Sequence, residues 1–253
     1  LASEAEVEKQ VQQLQDAVSA GADAIVIGPT DSVALAPQVA EAYASGIPII
    51  IVDTMIATDD YSAAYLTDNV SAGKTAAEEM IARLKKQGVS EEEAQIAVQV
   101  GASGSQTIID RLAGFNEYWE ANAPEKWVVL NDDVKVNDGD ISKAVGFTQD
   151  FLTTYPNIKG VFGPNNGSTV GFVTGLIEAD RTDVIMVGFD FSDEIKNMIE
   201  QDKFEVATIV QKQYMMGYEG VKAGYDLATG GSVAEKTVDT GVLVVDIDNI
   251  NSD

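Results

Sequence analysis

Apolar and polar positions alternate along the chain with two periods. Val7, Val11, Leu14 and Val18 recur at helical spacing up to Gly21, behind a capping-box signal formed by Ser3 and Glu6. Ala24 to Gly28 is short, branched and apolar on both faces, as a buried parallel strand should be. A helix opened by Asp31 or Ser32 and stopped by Gly46 follows, then a strand over 47–52, a shorter one over 65–67, and a helix from Asp68 to about Lys86. Further strands are predicted at 95–100, 127–131, 159–163, 184–188 and 205–210, with helices near 105–121, 140–154, 167–179, 193–201 and 214–229. Val242 to Ile247 reads as a last strand with no helix after it.

Strands alternating with helices mean βαβ units and parallel sheets, so the fold class is α/β. No Pro-, Gly- or Ser-rich linker separates two halves, so two lobes would have to be joined by strands crossing between them. The expected division is 1–67 with 212–240, and 68–211 with 241–253. The chain opens on a helix, yet strand 24–28 shows no polar face, and a bare apolar edge invites aggregation. A strand-helix-strand missing ahead of Leu1, leaving the first lobe incomplete, is the expectation; cover by another chain is the alternative.

Composition narrows the chemistry. The 253 residues carry 16 basic and 41 acidic side chains, a net charge of -25, with neither cysteine nor histidine. Thiolate nucleophiles, disulfides, Cys/His zinc sites and a histidine general base are excluded, and so acidic a surface repels nucleic acid. No apolar run approaches the roughly 18 residues of a membrane span. Asp53, Asp68 and Asp190 show no metal-ligand spacing, so neither a metal nor a cofactor is expected.

In open parallel sheets ligands sit at the carboxyl ends of the strands. Here those ends read Pro29-Thr30-Asp31, Val52-Asp53-Thr54, Thr67-Asp68-Asn69, Gly101 to Gln106, Gly163-Pro164-Asn165-Asn166, Gly188-Phe189-Asp190 and Val210-Gln211. Any one of them is an ordinary helix cap or Asx turn; together they suggest a polar cleft.

These strings stand in a familiar order. With Ile47-Pro48, Gly73, Arg111-Leu112-Ala113-Gly114-Phe115, Phe162 and Ala207-Thr208-Ile209-Val210-Gln211, the chain resembles the type I periplasmic solute-binding proteins of sugar ABC transporters, the ribose-binding proteins among them. The resemblance implies two Rossmann-like lobes joined by three crossovers, no enzymatic activity, and capture of a small polar solute in the interlobe cleft by hinge closure. It implies an extracytoplasmic location, a membrane permease as partner, and contact with the membrane only through that permease or a lipid anchor ahead of Leu1.

Carried over by position, the ligand contacts fall at Asp53, Asn165, Phe189, Asp190 and Gln211, with Asp68 near a crossover and Phe189 offering a ring face to a sugar. Thr54 and Ile109 stand where the ribose binders have arginines, and Gly139 where they have a stacking ring. Asp53 and Asp190 would then lack cationic partners, which points away from ribose and towards a donor-rich ligand: another sugar, a polyol, or a small cationic or nucleoside-like solute. Arg111 reads as a structural tie from helix 105–121 to a carboxylate, and Trp119 and Trp127 as packing residues.

Two rival functions can be weighed. The ligand-sensing core of a LacI-type regulator shares the two-lobed plan, and residues upstream of Leu1 would discriminate: a Sec or lipoprotein signal against a helix-turn-helix. A short-chain dehydrogenase is suggested by Gly101-Ala102-Ser103-Gly104 and by Tyr218 with Lys222, but Ser105 and Thr107 break the glycine pattern that a pyrophosphate needs.

Overall fold

The computed structural model describes residues 7–89, 94–103 and 105–251. The chain divides into two units, Leu1–Asp68 with Lys212–Gly241 and Asn69–Gln211 with Val242–Asp253. Asp68 and Gly241 thus fall in the first unit. The Ser3–Glu6 capping signal lies outside the described residues.

The first unit is a four-stranded parallel sheet in the order β1 (Ile25–Ile27), β2 (Ile49–Asp53), β3 (Ala63–Leu66), β10 (Thr237–Asp239). Alternation along β2 explains its two-sided burial. Ile49 and Ile51 pack with Leu14 of α1 (Val7–Ser19) and Val39 of α2 (Ala36–Ala44), while Ile50 packs with Met216 and Ala223 of α8 (Gln213–Ala228). Strand β1 lies at the edge of this sheet, and its apolar Val26 is 38% exposed. Helix α2 begins later than expected. Asp31 spends its carboxylate on the N–H groups of Val33 and Ala34, an Asx turn, and the helix starts beside Pro37, whose fixed φ suits a first turn.

The second unit is a larger sheet in the order β11 (Val242–Val245), β9 (Val206–Gln211), β8 (Ile185–Phe189), β7 (Ile158–Gly163), β4 (Ala94–Val100), β5 (Trp127–Val129), with β6 (Lys135–Val136) also on β4. Ile96 and Val98 face α3 (Asn69–Lys86) and α4 (Gln106–Asn122), with Phe115 and Trp119 in the same core. Ala97 lies in the opposite core with Phe172 of α6 (Asn166–Glu178) and Ile195 of α7 (Asp193–Glu200), and Phe151 of α5 (Ile141–Thr154) joins it. Strand β11 runs antiparallel to β9, so this sheet is mixed rather than wholly parallel. The two- and three-residue strands β6 and β10 are too short to carry a period, and the sequence pattern does not show them.

Helices α3 and α4 meet backbone to backbone. A Cβ on Gly73 would stand 2.1 Å from the Arg111 carbonyl oxygen, and one on Gly114 would stand 1.9 Å from that of Val70. Trp119 donates its indole N–H to Trp127 O at 3.1 Å and stacks on Phe115, which stacks on Phe162.

At the far surface of this unit, hydrogen bonding from Arg181, with help from Lys159, holds the Asp183 carboxyl at a pKa of about 2. A depressed carboxylate pKa contributes stability above the usual carboxylate range and loses it as pH falls through the folded value. Asp183→Asn should therefore lower the melting temperature slightly at pH 7, by the equivalent of under about 1 kcal/mol for so exposed a pair. The difference from wild type should vanish near pH 2, which thermal melts across pH would show.

Candidate functional site

Two aspartates, one in each unit, stand at strand ends with the same unusual backbone. Among the described residues, those other than glycine with positive φ are all aspartates, and Asp53 at the end of β2 (φ 67°) and Asp190 just past β8 (φ 70°) are two of them. L-residues avoid this region at a cost of about 1–2 kcal/mol, and Asp and Asn tolerate it best. The conformation is held by the surroundings. Asp190 N–H donates to Ile209 O at 2.9 Å and its carbonyl accepts the Thr208 hydroxyl at 2.6 Å. Thr54 N–H donates to Val52 O at 2.8 Å, closing a tight turn around Asp53.

Each aspartate has a neutral donor. The Thr54 hydroxyl donates to Asp53 Oδ2 at 3.1 Å, and Gln211 Nε2 donates to Asp190 Oδ1 at 2.8 Å. Asp53 is exposed and Asp190 half-buried. The donors that the structure gives these carboxylates are neutral, a hydroxyl on Asp53 and an amide on Asp190. Gln211 is 94% buried, being 6% exposed, and its Oε1 has no hydrogen-bond partner. An orphaned acceptor next to a half-occupied carboxylate suits a ligand that brings hydroxyl donors.

Asn165 precedes α6 and lies over Gly101 at the end of β4. A Cβ on Gly101 would come within 2.6 Å of Asn165 Nδ2, so the glycine makes room for the amide. Its Oδ1 accepts from Gly101 N–H at 3.1 Å and from the Ser168 hydroxyl at 2.5 Å. Ile109, 44% exposed, presents an apolar side chain on the first turn of α4.

Phe189 does not offer a ring face. It is completely buried, packed against Phe162 at 6.1 Å between centroids, and its ring is covered by the Arg111 guanidinium with Cζ 4.2 Å from the centroid. The carbonyl and amide of Phe189 are both bonded to the Thr169 hydroxyl, so the residue anchors β8 and leaves Asp190 to face outward. Arg111, 3% exposed, donates to Asn69 Oδ1 and Pro164 O, each at 2.8 Å, and so ties α4 to the start of α3 and to the loop that carries Asn165.

In the first unit Asp68 is exposed, and its backbone N–H donates to Asp239 Oδ1 at 3.0 Å, which also accepts from Gly241 N–H at 2.8 Å. Asp239, which the sequence reading overlooked, thereby fastens two of the chain passages together. Gln10 was overlooked too. Its side chain accepts from the N–H and hydroxyl of Thr30 and donates to Gly28 O, each at 2.8 Å, fixing the loop after β1. Tyr218 and Lys222, half of the dehydrogenase suggestion, lie on α8 in the first unit, whereas Gly101 belongs to the second.

The model of the periplasmic binding protein domain matches residues 1–232. The chain belongs to the periplasmic binding protein family. This periplasmic binding protein is 30% identical over 228 residues to the ribose import binding protein of Salmonella typhimurium, covering 90% of the chain and 73% of that relative. Among solved structures it is similar to an ABC transporter solute-binding protein from Agrobacterium vitis with bound D-fucose, at 32% identity and a TM-score of 0.87. It is likewise similar to a carbohydrate transporter solute-binding protein from Agrobacterium radiobacter in complex with D-arabinose, at 29% identity and a TM-score of 0.90. Both cover 99% of this chain, which covers 83% of each.

Proposed function

We propose that this periplasmic binding protein is the extracytoplasmic solute-binding component of an ABC importer, that it delivers its solute to a membrane permease, and that it performs no covalent chemistry. The observation that carries the reading is the pair of left-handed strand-end aspartates, each turned outward and each held by a neutral donor. Carboxylates so placed accept hydrogen bonds from vicinal hydroxyls with charge assistance. The sugar-bound relatives support a carbohydrate as the solute.

Asp53, Thr54 and Asp68 of one unit, with Ile109, Asn165, Asp190 and Gln211 of the other, are the residues proposed to share it. Replacement of arginine-type donors by Thr54 and Ile109 favours a solute other than ribose. Thermal-shift measurements with D-arabinose, D-fucose, D-ribose and xylitol test this. One or more of D-arabinose, D-fucose and xylitol should raise the melting temperature, the shift growing with the logarithm of concentration above Kd and reaching the equivalent of about 2.7 kcal/mol at a hundredfold excess over Kd. Ribose binding most tightly would overturn the specificity argument, and a flat response to every sugar and polyol would overturn the solute class.

A further inference from the structure

Asn137, Ser168 and Asn165 form a chain of hydrogen bonds whose direction is fixed at both ends. At the far end Gly139 N–H donates to Asn137 Oδ1 at 3.0 Å, which turns the Asn137 amide nitrogen the other way, towards Ser168 Oγ at 2.8 Å. The Ser168 hydroxyl, its oxygen accepting from Asn137, sends its proton to Asn165 Oδ1. At the near end the backbone N–H of Gly101 donates to that same oxygen. Asn137 and Ser168 are wholly buried, and Gln99, equally buried, accepts from Asn137 through Oε1 and donates from Nε2 to Thr148 and to Ser168 O. A buried chain with a backbone donor at each end cannot reverse without leaving donors facing donors.

We infer that Asn137 and Ser168 are positioning residues that set the polarity of Asn165, so that a solute meets amide N–H donors at position 165 beside a carboxylate acceptor at Asp190. Among the described residues Asn165 Nδ2 makes no hydrogen bond, so both its protons are available to a solute. The inference rests on the solute-binding reading and sharpens it. A hydroxyl or ring oxygen can accept from Asn165 while a neighbouring hydroxyl donates to Asp190; an ammonium group at position 165 would set N–H against N–H. The site is thereby built for a neutral polyhydroxylated solute rather than a cationic one.

Two experiments test the relay. The first needs no solute: side-chain amide exchange in 15N-labelled protein. The Asn137 NH2 protons should exchange slowly and those of Asn165 rapidly, and Ser168→Ala should speed exchange at Asn137 tenfold or more. Slow exchange at Asn165 in the unliganded protein would overturn the inference. The second uses whichever panel sugar binds the wild type. Asn165→Asp keeps both donors on one oxygen and puts an anionic oxygen where the NH2 stood. It should melt with the wild type and bind the sugar at least roughly 30-fold more weakly, as expected when a charged group is left without its hydrogen bond. Ser168→Ala should weaken binding several-fold alone and add nothing in an Asn165→Ala background, whereas a merely structural role would give additive losses. Wild-type affinity in Asn165→Asp, or additivity, would sink the relay. If no sugar binds the wild type, the solute reading fails on its own and the exchange measurement still decides the relay.

Discussion

Asp190→Asn should lower sugar affinity by roughly 10- to 100-fold, the worth of about 1.5–3 kcal/mol for hydrogen bonds to a charged group, while the protein melts as the wild type does. The amide retains an oxygen for Gln211 Nε2 and tolerates the φ of 70°, so what disappears is charge. Asp190→Ala should show the same binding loss together with a lower melting temperature, because alanine at positive φ costs about 1 kcal/mol or more. Asp190→Gly separates the two effects: binding lost, backbone strain relieved. Titration calorimetry with the panel sugar and parallel melts read both quantities. Asp53→Asn, at the matching left-handed turn of the first unit, should weaken binding as well, though by less, since Asp53 is more exposed. Normal binding by both asparagine variants would mean that the site is misplaced.

The largest stability loss is expected from Gly114→Ala. Alanine is favoured over glycine within a helix by about 1 kcal/mol, so propensity alone predicts stabilisation. The added Cβ, however, would stand 1.9 Å from the Val70 carbonyl oxygen, and backbone cannot step aside as a side-chain tip can. Helices α3 and α4 must separate, loosening Asn69 and Arg111 at their contact and the core around Phe115. A net cost of about 3 kcal/mol, at the upper end for overpacking, corresponds to a fall of roughly 6–12 °C in a unit of this size. Gly146→Ala in α5 provides the control: nothing lies within 4 Å of its Cβ, and it should hold or raise the melting temperature. Equal melting of Gly114→Ala and wild type by circular dichroism would show that the two helices are not in backbone contact.

The order of strands and helices was legible because most strands are runs of branched apolar residues buried on both faces, while the helices carry one apolar stripe, as along Val7, Val11 and Leu14. Strand direction was not: Val242 to Val245 has the same composition whether it lies parallel or antiparallel to Val206–Gln211, and only pairing decides. The carboxyl-end aspartates were visible as residue types, but the left-handed backbone of Asp190 is held by Ile209 and Thr208 from the next strand, which local sequence does not show. Phe189 misled for the same reason. Its place before Asp190 marks a strand end, whereas Arg111, 78 positions earlier, determines that its ring is covered. Asn137, within an Asn-Asp-Gly string, reads as a turn, and its burial against Ser168 has no local signature.

The aromatic stack behind the second sheet gives this protein a built-in optical label. Both tryptophans of the chain, Trp119 and Trp127, belong to that unit and lie buried beside each other. Emission excited at the red edge therefore reports on one unit alone. The first unit is silent there but carries the exposed, stacked tyrosines 214 and 218 on α8. Whether the second unit unravels with the rest of the chain or apart from it can accordingly be read from a single unlabelled sample by comparing tryptophan emission with the loss of helical circular dichroism as it is heated.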